Sequence, residues 1–150
     1  MDGADQDTNA TRRRFLQMAC AAAAVGAGCS SAGASPDPIG NVDGGALQSL
    51  PVGTLRPVGS QAVCIGRDDS GVYAMTLTCT HAGCNIAING TVSAQGIACA
   101  CHGSRFDVNG SVVQGPASEP LQHYAVTQDA AGELTIHGGS EVDAATRLKV

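Results

Sequence analysis

Two short segments rich in cysteine and histidine constrain the fold of this chain more than any other feature. Cys79–Cys84 has the order Cys-Thr-His-Ala-Gly-Cys, and after fourteen further residues Cys99–Ser104 has the order Cys-Ala-Cys-His-Gly-Ser. Thiolate and imidazole side chains in a two-plus-two set bind either a tetrahedral metal ion or an iron–sulfur cluster. The spacing therefore predicts a metal centre shared between two loops.

Other uses of these residues explain less of the pattern. Covalent haem attachment requires Cys-x-x-Cys-His, whereas the second segment contains Cys99-Ala-Cys101-His102. A structural zinc ion held by one Cys and one His from each segment leaves Cys84 and Cys101 without a role. A framework of disulfide bonds alone leaves both His unexplained. The zinc site and the disulfide framework stay open as alternatives on spacing alone.

The chain from Val52 onward is typical of short β-strands joined by tight turns. Runs of β-branched residues alternate with Gly, Asp and Asn, and the 150 residues include 20 Gly but only 3% aromatic residues. This pattern predicts one all-β domain, an antiparallel sandwich or small barrel. The predicted strands are Thr54–Val58, Ala62–Arg67, Val72–Thr78, Asn85–Ile88, Thr91–Ser93, Ile97–Ala98, Phe106–Val108, Ser111–Val113, Tyr124–Thr127 and Leu134–His137.

Turn residues separate these strands at regular intervals. Asn89-Gly90 and Asn109-Gly110 predict hairpins, because tight two-residue turns favour this pair. Asp68–Gly71 and Asp129–Gly132 predict two further turns. The last segment, Glu141–Lys149, predicts a short helix or a frayed coil.

Charge and hydropathy exclude some classes of protein. The net charge of -5 argues against nucleic-acid binding, since phosphate contacts need clustered Lys and Arg. No run of 18 apolar residues occurs, so we predict no membrane-spanning helix. Cys64 lies in an apolar strand and is predicted to be a core thiol. His123 and His137 fall outside the motif and are predicted to be surface or strand residues.

The two-segment motif resembles that of the Rieske iron–sulfur proteins, and the resemblance covers residues 52–136. It implies a Rieske-type antiparallel β-sandwich with a cluster-binding subdomain of two loops, and one 2Fe–2S cluster. By position, Cys79 and Cys99 would bind one iron, and His81 and His102 would bind the other. Cys84 and Cys101 would form a disulfide that joins the loops, and the Ser104 hydroxyl would donate to a bridging sulfide.

The extra Cys pair further resembles the exported, high-potential members of that family. These include Rieske subunits of quinol–cytochrome c oxidoreductases, small subunits of arsenite oxidases and free-standing lipoproteins. Gly115-Pro116-Ala117 resembles the Pro-containing loop that covers the cluster, and Phe106 stands where these members often carry Tyr. The resemblance implies a one-electron carrier between a quinol-oxidising membrane subunit, or another donor, and a c-type cytochrome. Such a subunit is not catalytic alone, and the arsenite-oxidase role is the alternative.

The N-terminal segment has the features of an export signal. The order Thr-Arg-Arg-Arg-Phe-Leu at 11–16 resembles a twin-arginine signal, and a short apolar run follows it. Gly26–Cys29 resembles a lipobox in which Cys29 is lipidated, whereas Ala32-Gly33-Ala34 offers ordinary cleavage and retention of the apolar run offers a short anchor.

These features predict an exported protein in the periplasm or on the outer face of the cell membrane. We expect it to use the twin-arginine machinery and to be lipid-anchored through Cys29. The predicted division is a signal or anchor at 1–28, the lipidated Cys and a flexible linker at 29–45, a Rieske domain at 46–138 and a tail at 139–150.

Overall fold

The computed structural model describes residues 39–150, and this part of the chain is built almost entirely of antiparallel strands. It confirms the predicted all-β class. A single 3-10 turn, Leu47–Ser49, interrupts the strands. The strands are β1 (Asn41–Ala46), β2 (Thr54–Pro57), β3 (Val63–Asp68), β4 (Gly71–Thr76), β5 (Gly90–Ser93), β6 (Gly96–Cys99), β7 (Arg105–Phe106), β8 (Val112–Gln114), β9 (His123–Gln128) and β10 (Glu133–Val142).

The strands form a larger sheet and a smaller one. The six-stranded sheet has the order β1-β10-β9-β4-β3-β2, and the four-stranded sheet has the order β5-β6-β7-β8. The small sheet is inserted between β4 and β9, which are neighbours in the large sheet. The two Cys- and His-rich segments flank strands of this insertion, so the small sheet with its loops corresponds to the two-loop subdomain that the resemblance implied.

Strand β4 connects the two apolar cores of the domain. Successive side chains of a strand point to opposite faces of the sheet. Val72 and Ala74 therefore pack into one buried cluster with Ile65 of β3, whereas Tyr73 and Met75 pack into the other. The second cluster also contains Ile97, Phe106, Cys79 and Cys99. The metal-binding loops thus rest on the same face of the large sheet as the small sheet does.

One predicted hairpin is wrong, and the reason is local. Asn85–Ile88 does not form a strand, because the Asn85 carbonyl accepts hydrogen bonds from the N–H groups of Ile88 and Asn89 at 3.3 and 2.9 Å. The Asn85 side chain also accepts from the N–H of Ala87 at 3.0 Å. These bonds make a helical turn, and Gly90 begins β5 instead of ending a hairpin. The Asn109-Gly110 turn is confirmed between β7 and β8.

The folded domain extends beyond both predicted boundaries. β1 begins at Asn41, inside the segment predicted to be linker, because it pairs with β10 from the far end of the domain. The tail is neither a helix nor a frayed coil, since β10 continues to Val142. Leu148 exchanges two backbone hydrogen bonds with Val72, at 2.8 and 2.9 Å. The predicted signal and Cys29 lie outside the described residues.

Within residues 39–150, no helix is both long and apolar enough to cross a membrane. Cys64 is fully buried, as predicted, and burial raises the pKa of its thiol to about 12. A thiol with such a pKa is unreactive at neutral pH. His137 is a strand residue on β10, and its ring nitrogens contact Thr127 and Asn41.

His123 is a strand residue that is only 2% exposed. Its Nε2–H donates to the Asn109 carbonyl at 3.0 Å, and its Nδ1 has no hydrogen-bond partner in the described structure. Burial lowers the pKa of His123 below its usual value of 6.5, and nearby Arg147 lowers it further. The Asn109 carbonyl, Asp143 and Asp107 act in the opposite direction.

We expect this histidine to make the fold sensitive to acid. Below pH 6.5 His123 binds a proton in the unfolded chain but stays neutral in the folded domain. The free energy of unfolding is therefore unaffected by this residue above that pH and decreases as the pH falls through it. The contribution is at most about 1.4 kcal/mol per pH unit. His123→Gln keeps a donor for Asn109 but does not titrate. Its melting temperature should fall less than the parent's between about pH 7.5 and 5.5, and equal slopes would contradict the assignment.

Candidate metal centre

The two Cys- and His-rich segments form a pair of loops with the same backbone hydrogen bonds. In the first loop, Cys79–Cys84, the Gly83 N–H donates to the Cys79 carbonyl at 2.8 Å. In the second loop, Cys99–Ser104, the Gly103 N–H donates to the Cys99 carbonyl at 3.1 Å. Gly83 and Gly103 have φ of +73° and +82°, a left-handed conformation that favours glycine. Each motif glycine therefore allows its loop to close.

The sulfur and nitrogen donors of the two loops lie at different depths. Cys79 and Cys99 are each 2% exposed, whereas His81 and His102 are exposed. The two imidazole centroids are 4.8 Å apart, with ring planes at 77°. Burial raises the pKa of the Cys99 thiol, and the Cys79 thiol beside it raises that pKa further. A centre held here would have its thiol side in the core and its imidazole side at the surface.

A disulfide between Cys84 and Cys101 joins the loops, as the resemblance implied. Their Cα atoms are 6.7 Å apart, within the usual range for disulfides. The sulfur atoms of Cys84, Cys99 and Cys101 all lie within 4.8 Å of one another. Sulfurs in a disulfide carry no thiolate, so Cys99 is the ligand candidate of these three. This pairing gives Cys84 and Cys101 the role that a zinc site would not.

A third loop, Gly115–Pro120, braces both ligand loops. The Ala117 N–H donates to Ser104 Oγ at 3.0 Å, and Thr80 Oγ1 donates to the Glu119 carbonyl at 2.7 Å. Gln114, which precedes this loop, donates from Nε2 to the Gly103 carbonyl at 3.1 Å. The expected Pro-containing loop is therefore in contact with the site. Thr80 and Gln114 were missed as supporting residues, although Thr80 lies inside the first motif.

Ser104, the last residue of the second loop, and Phe106, in the strand that follows, are placed to influence the electronic state of a bound group. Ser104 is fully buried, and its Oγ accepts the Ala117 N–H, so its own hydroxyl hydrogen is left for another acceptor. Phe106 is 2% exposed and packs in the same apolar cluster as Cys79 and Cys99. The site thus has a hydroxyl hydrogen free to donate at residue 104 and an apolar ring at residue 106.

Comparison with known proteins agrees with this arrangement. A profile of the Rieske 2Fe-2S domain matches residues 42–125, and the chain therefore belongs to the Rieske family. The cytochrome b6-f complex iron-sulfur subunit of Cyanothece sp. strain PCC 7425 is 37% identical over 89 residues, 57% of this chain and 47% of the relative. That of Synechococcus sp. strain CC9605 is 35% identical over 113 residues, 69% of this chain and 62% of the relative.

A solved structure also has a related fold. A chain in the complex of reduced oxygenase and oxidised ferredoxin of carbazole 1,9a-dioxygenase aligns with a TM-score of 0.50 and 27% identity. The alignment covers 69% of this chain and 97% of that one. The present chain spans less than two thirds of the length of the two cyanobacterial relatives.

The residues of the site fit the cofactor of this family. Buried Cys79 and Cys99 and exposed His81 and His102 supply two thiols and two imidazoles, the donor set of a Rieske 2Fe–2S cluster. A bound cluster of this kind takes up and returns one electron. Neutral imidazoles in place of two thiolates remove negative charge from the site, which favours the added electron and raises the potential. The protein is a Rieske iron–sulfur electron carrier.

Ser104 and residue 106 should tune the redox potential in a predictable direction. A donor to the cluster sulfurs stabilises the reduced state, because reduction adds negative charge to those sulfurs. One net hydrogen bond of about 1.4 kcal/mol corresponds to roughly 60 mV for one electron. We therefore expect Ser104→Ala to lower the midpoint potential by about 60 mV and Phe106→Tyr to raise it by about that amount.

Redox titration of the purified parent, Ser104→Ala and Phe106→Tyr holoproteins at one pH measures both effects. Lys149→Met, which changes an exposed side chain bound to the Ser70 carbonyl, serves as a control that should keep the parent potential. An unchanged potential in Phe106→Tyr with an intact cluster would show that residue 106 does not face the cluster.

Proposed function

We propose that this chain is an exported one-electron carrier that passes electrons from a quinol-oxidising membrane subunit to a c-type cytochrome. In this proposal Cys79 and Cys99 hold one iron of the cluster, and His81 and His102 hold the other. The observation that carries it is the difference in depth: the thiols are buried, whereas both imidazoles reach the surface. The exposed imidazole edge is where a donor or acceptor comes closest to the cluster.

The surface around the imidazoles supports a quinol as the electron donor. Neither ligand loop contains a charged residue, and Ala82, Gly83 and Pro116 are all exposed. Small, uncharged neighbours let the ring of a neutral quinol approach either histidine. The second ring nitrogen of His81 or His102 would accept a hydrogen bond from the quinol hydroxyl. It would take that proton as the electron leaves for the cluster.

The cellular location is also part of the proposal. The Cys84–Cys101 disulfide supports export, because disulfides persist mainly in oxidising compartments. The twin-arginine pattern and Cys29 point to export of the folded protein followed by lipid attachment, with the folded domain in the periplasm or on the outer face of the membrane. Cys29→Ala should release the protein from membranes or block its processing. Unchanged membrane fractionation of this variant would contradict lipidation.

The names of the relatives support a partnership with a cytochrome complex, since two similar chains are cytochrome b6-f complex iron-sulfur subunits. The alternative is an electron-transfer subunit of a molybdenum oxidase such as arsenite oxidase. The EPR signal of the reduced cluster shows whether electrons reach the cluster from a quinol or from arsenite. Membranes of the source organism would be treated with a quinol or with arsenite, and membranes lacking this chain serve as the control.

We expect the quinol, and not arsenite, to produce the reduced-cluster signal in membranes that contain this chain. Addition of an oxidised c-type cytochrome should then remove the signal as the cytochrome becomes reduced. A signal produced by arsenite but not by quinol would replace the proposal with the molybdenum-oxidase role.

A further inference from the structure

The β7–β8 hairpin, Arg105–Gln114, spans the distance between the second ligand loop and the large sheet. At its open end, the Ser104 carbonyl accepts from the Cys99 N–H at 2.9 Å, and Ser104 Oγ accepts from the Ala117 N–H at 3.0 Å. Gln114 contacts the Gly103 carbonyl from the other strand. The conformation of the second ligand loop therefore depends on the position of this hairpin.

The closed end of the hairpin is fastened to the large sheet and the C-terminal segment by side chains that lie outside the two ligand loops. Tyr73 Oη donates to the Val108 carbonyl at 2.9 Å, and His123 Nε2 donates to the Asn109 carbonyl at 3.0 Å. Arg147 Nη2 donates to Asn109 Oδ1 at 2.7 Å. The turn is thus held by one residue each from β4, β9 and the C-terminal segment.

Arg147 links these contacts into one network. Its side chain is 10% exposed, and its Nε donates to the Asp68 carboxylate at 2.7 Å. Its guanidinium lies 4.1 Å from the centroid of the Tyr73 ring, and that ring stacks on His123 with 6.0 Å between centroids. Because this guanidinium has little contact with solvent, its interactions with Asp68 and Tyr73 are stronger than those of an ion pair on the protein surface. None of these residues is in the ligand set.

We propose that Arg147 and Asn109 are positioning residues for the second ligand loop, which they act on through the β7–β8 hairpin. The C-terminal segment would then have a function in the redox site, although it is distant from that site in the sequence. Loss of the Arg147–Asn109 bond should loosen the turn, and the loosening should reach Ser104 and the third loop along the two strands.

Hydrogen exchange of the full-length holoprotein, followed by mass spectrometry of peptides, tests this. In the segment Gly115–Leu121, the N–H groups of Ala117 and Leu121 bond to Ser104 Oγ and to the Gly110 carbonyl, so the segment reports both ends of the hairpin. We expect Asn109→Ala and Arg147→Met each to speed its exchange about fivefold, the effect of one lost hydrogen bond. The β1 segment Asn41–Ala46, which pairs with β10 and has no contact with Arg147 or Asn109, should exchange as in the parent.

The variants are chosen to separate positioning from general stability. Asn109→Asp keeps an acceptor for Arg147 and should restore exchange to the parent rate. Lys149→Met removes a charge from the same C-terminal segment without touching the hairpin, and it should have no effect. The double variant Asn109→Ala, Arg147→Met should exchange no faster than Arg147→Met alone, because that single variant already lacks the Arg147–Asn109 bond.

The EPR spectrum of the reduced holoprotein provides a second measurement. The line positions should shift in Asn109→Ala and in Arg147→Met, since they report the surroundings of the cluster in molecules that are still folded. Parent-like exchange in Gly115–Leu121 together with parent-like EPR lines would overturn the proposal. Equal acceleration in Asn41–Ala46 would overturn it as well, because that result indicates uniform destabilisation.

Discussion

Cys99→Ser protein should purify without iron, acid-labile sulfide or red-brown colour, whereas Cys64→Ser protein should contain a full cluster. Both residues are buried thiols without a disulfide partner among the described residues. Cys99 lies in the second ligand loop, and its thiol is beside that of Cys79. Serine replaces a soft thiolate with a hydroxyl that binds iron–sulfur clusters poorly, so the site loses one of its four ligands.

Cys64→Ser is the matched control because it makes the same chemical change in the same apolar cluster. The Cys64 thiol donates to the Met75 carbonyl, and a serine hydroxyl can make the same bond. Iron and sulfide analysis, the visible spectrum and the EPR signal of the reduced proteins measure the outcome. Retention of a full cluster by Cys99→Ser would remove Cys99 from the ligand set, and loss of the cluster from Cys64→Ser would add a thiol to it.

Removal of the Cys84–Cys101 disulfide should produce the largest loss of stability among the substitutions considered. The bond closes a loop with a sequence separation of 17 residues, and closure of a loop of that length stabilises by about 3 kcal/mol. In a domain of this size the loss corresponds to a melting temperature lower by roughly 12 °C. The ligand loops contain few buried residues of their own, so the double variant Cys84→Ser, Cys101→Ser should also lose its cluster faster.

Scanning calorimetry and the rate of colour loss at a fixed temperature measure the two effects. A reductant provides the control: it should lower the melting temperature of the parent more than that of the double variant, in which it reduces only the cluster. A double variant that melts with the parent would show that the hydrogen bonds of the third loop, and not the disulfide, hold the loops together.

Features that depend on neighbours in the sequence were predictable before the structure was known. The spacing of Cys and His, with Gly83 and Gly103 at the left-handed positions, defines each loop by itself, because the hydrogen bonds that close it join residues only a few positions apart. The all-β class, the Asn109-Gly110 turn and the buried thiol of Cys64 were predicted on similar local grounds. Asn89-Gly90 failed because Asn85 offers the same segment a competing helical turn.

The sequence by itself thus determined the family motif and the two loops, whereas the disulfide pair was implied only by the resemblance to that family. Only the tertiary structure decided that Asn41–Ala46 is a strand and that the C-terminal segment is part of the domain. The first depends on pairing with β10, and the second on Leu148 meeting Val72. The network of Arg147 and Asn109 likewise joins residues 38 positions apart. A contact between two distant segments leaves no periodic pattern in the sequence of either segment. Each segment becomes ordered only because the fold places the other segment beside it.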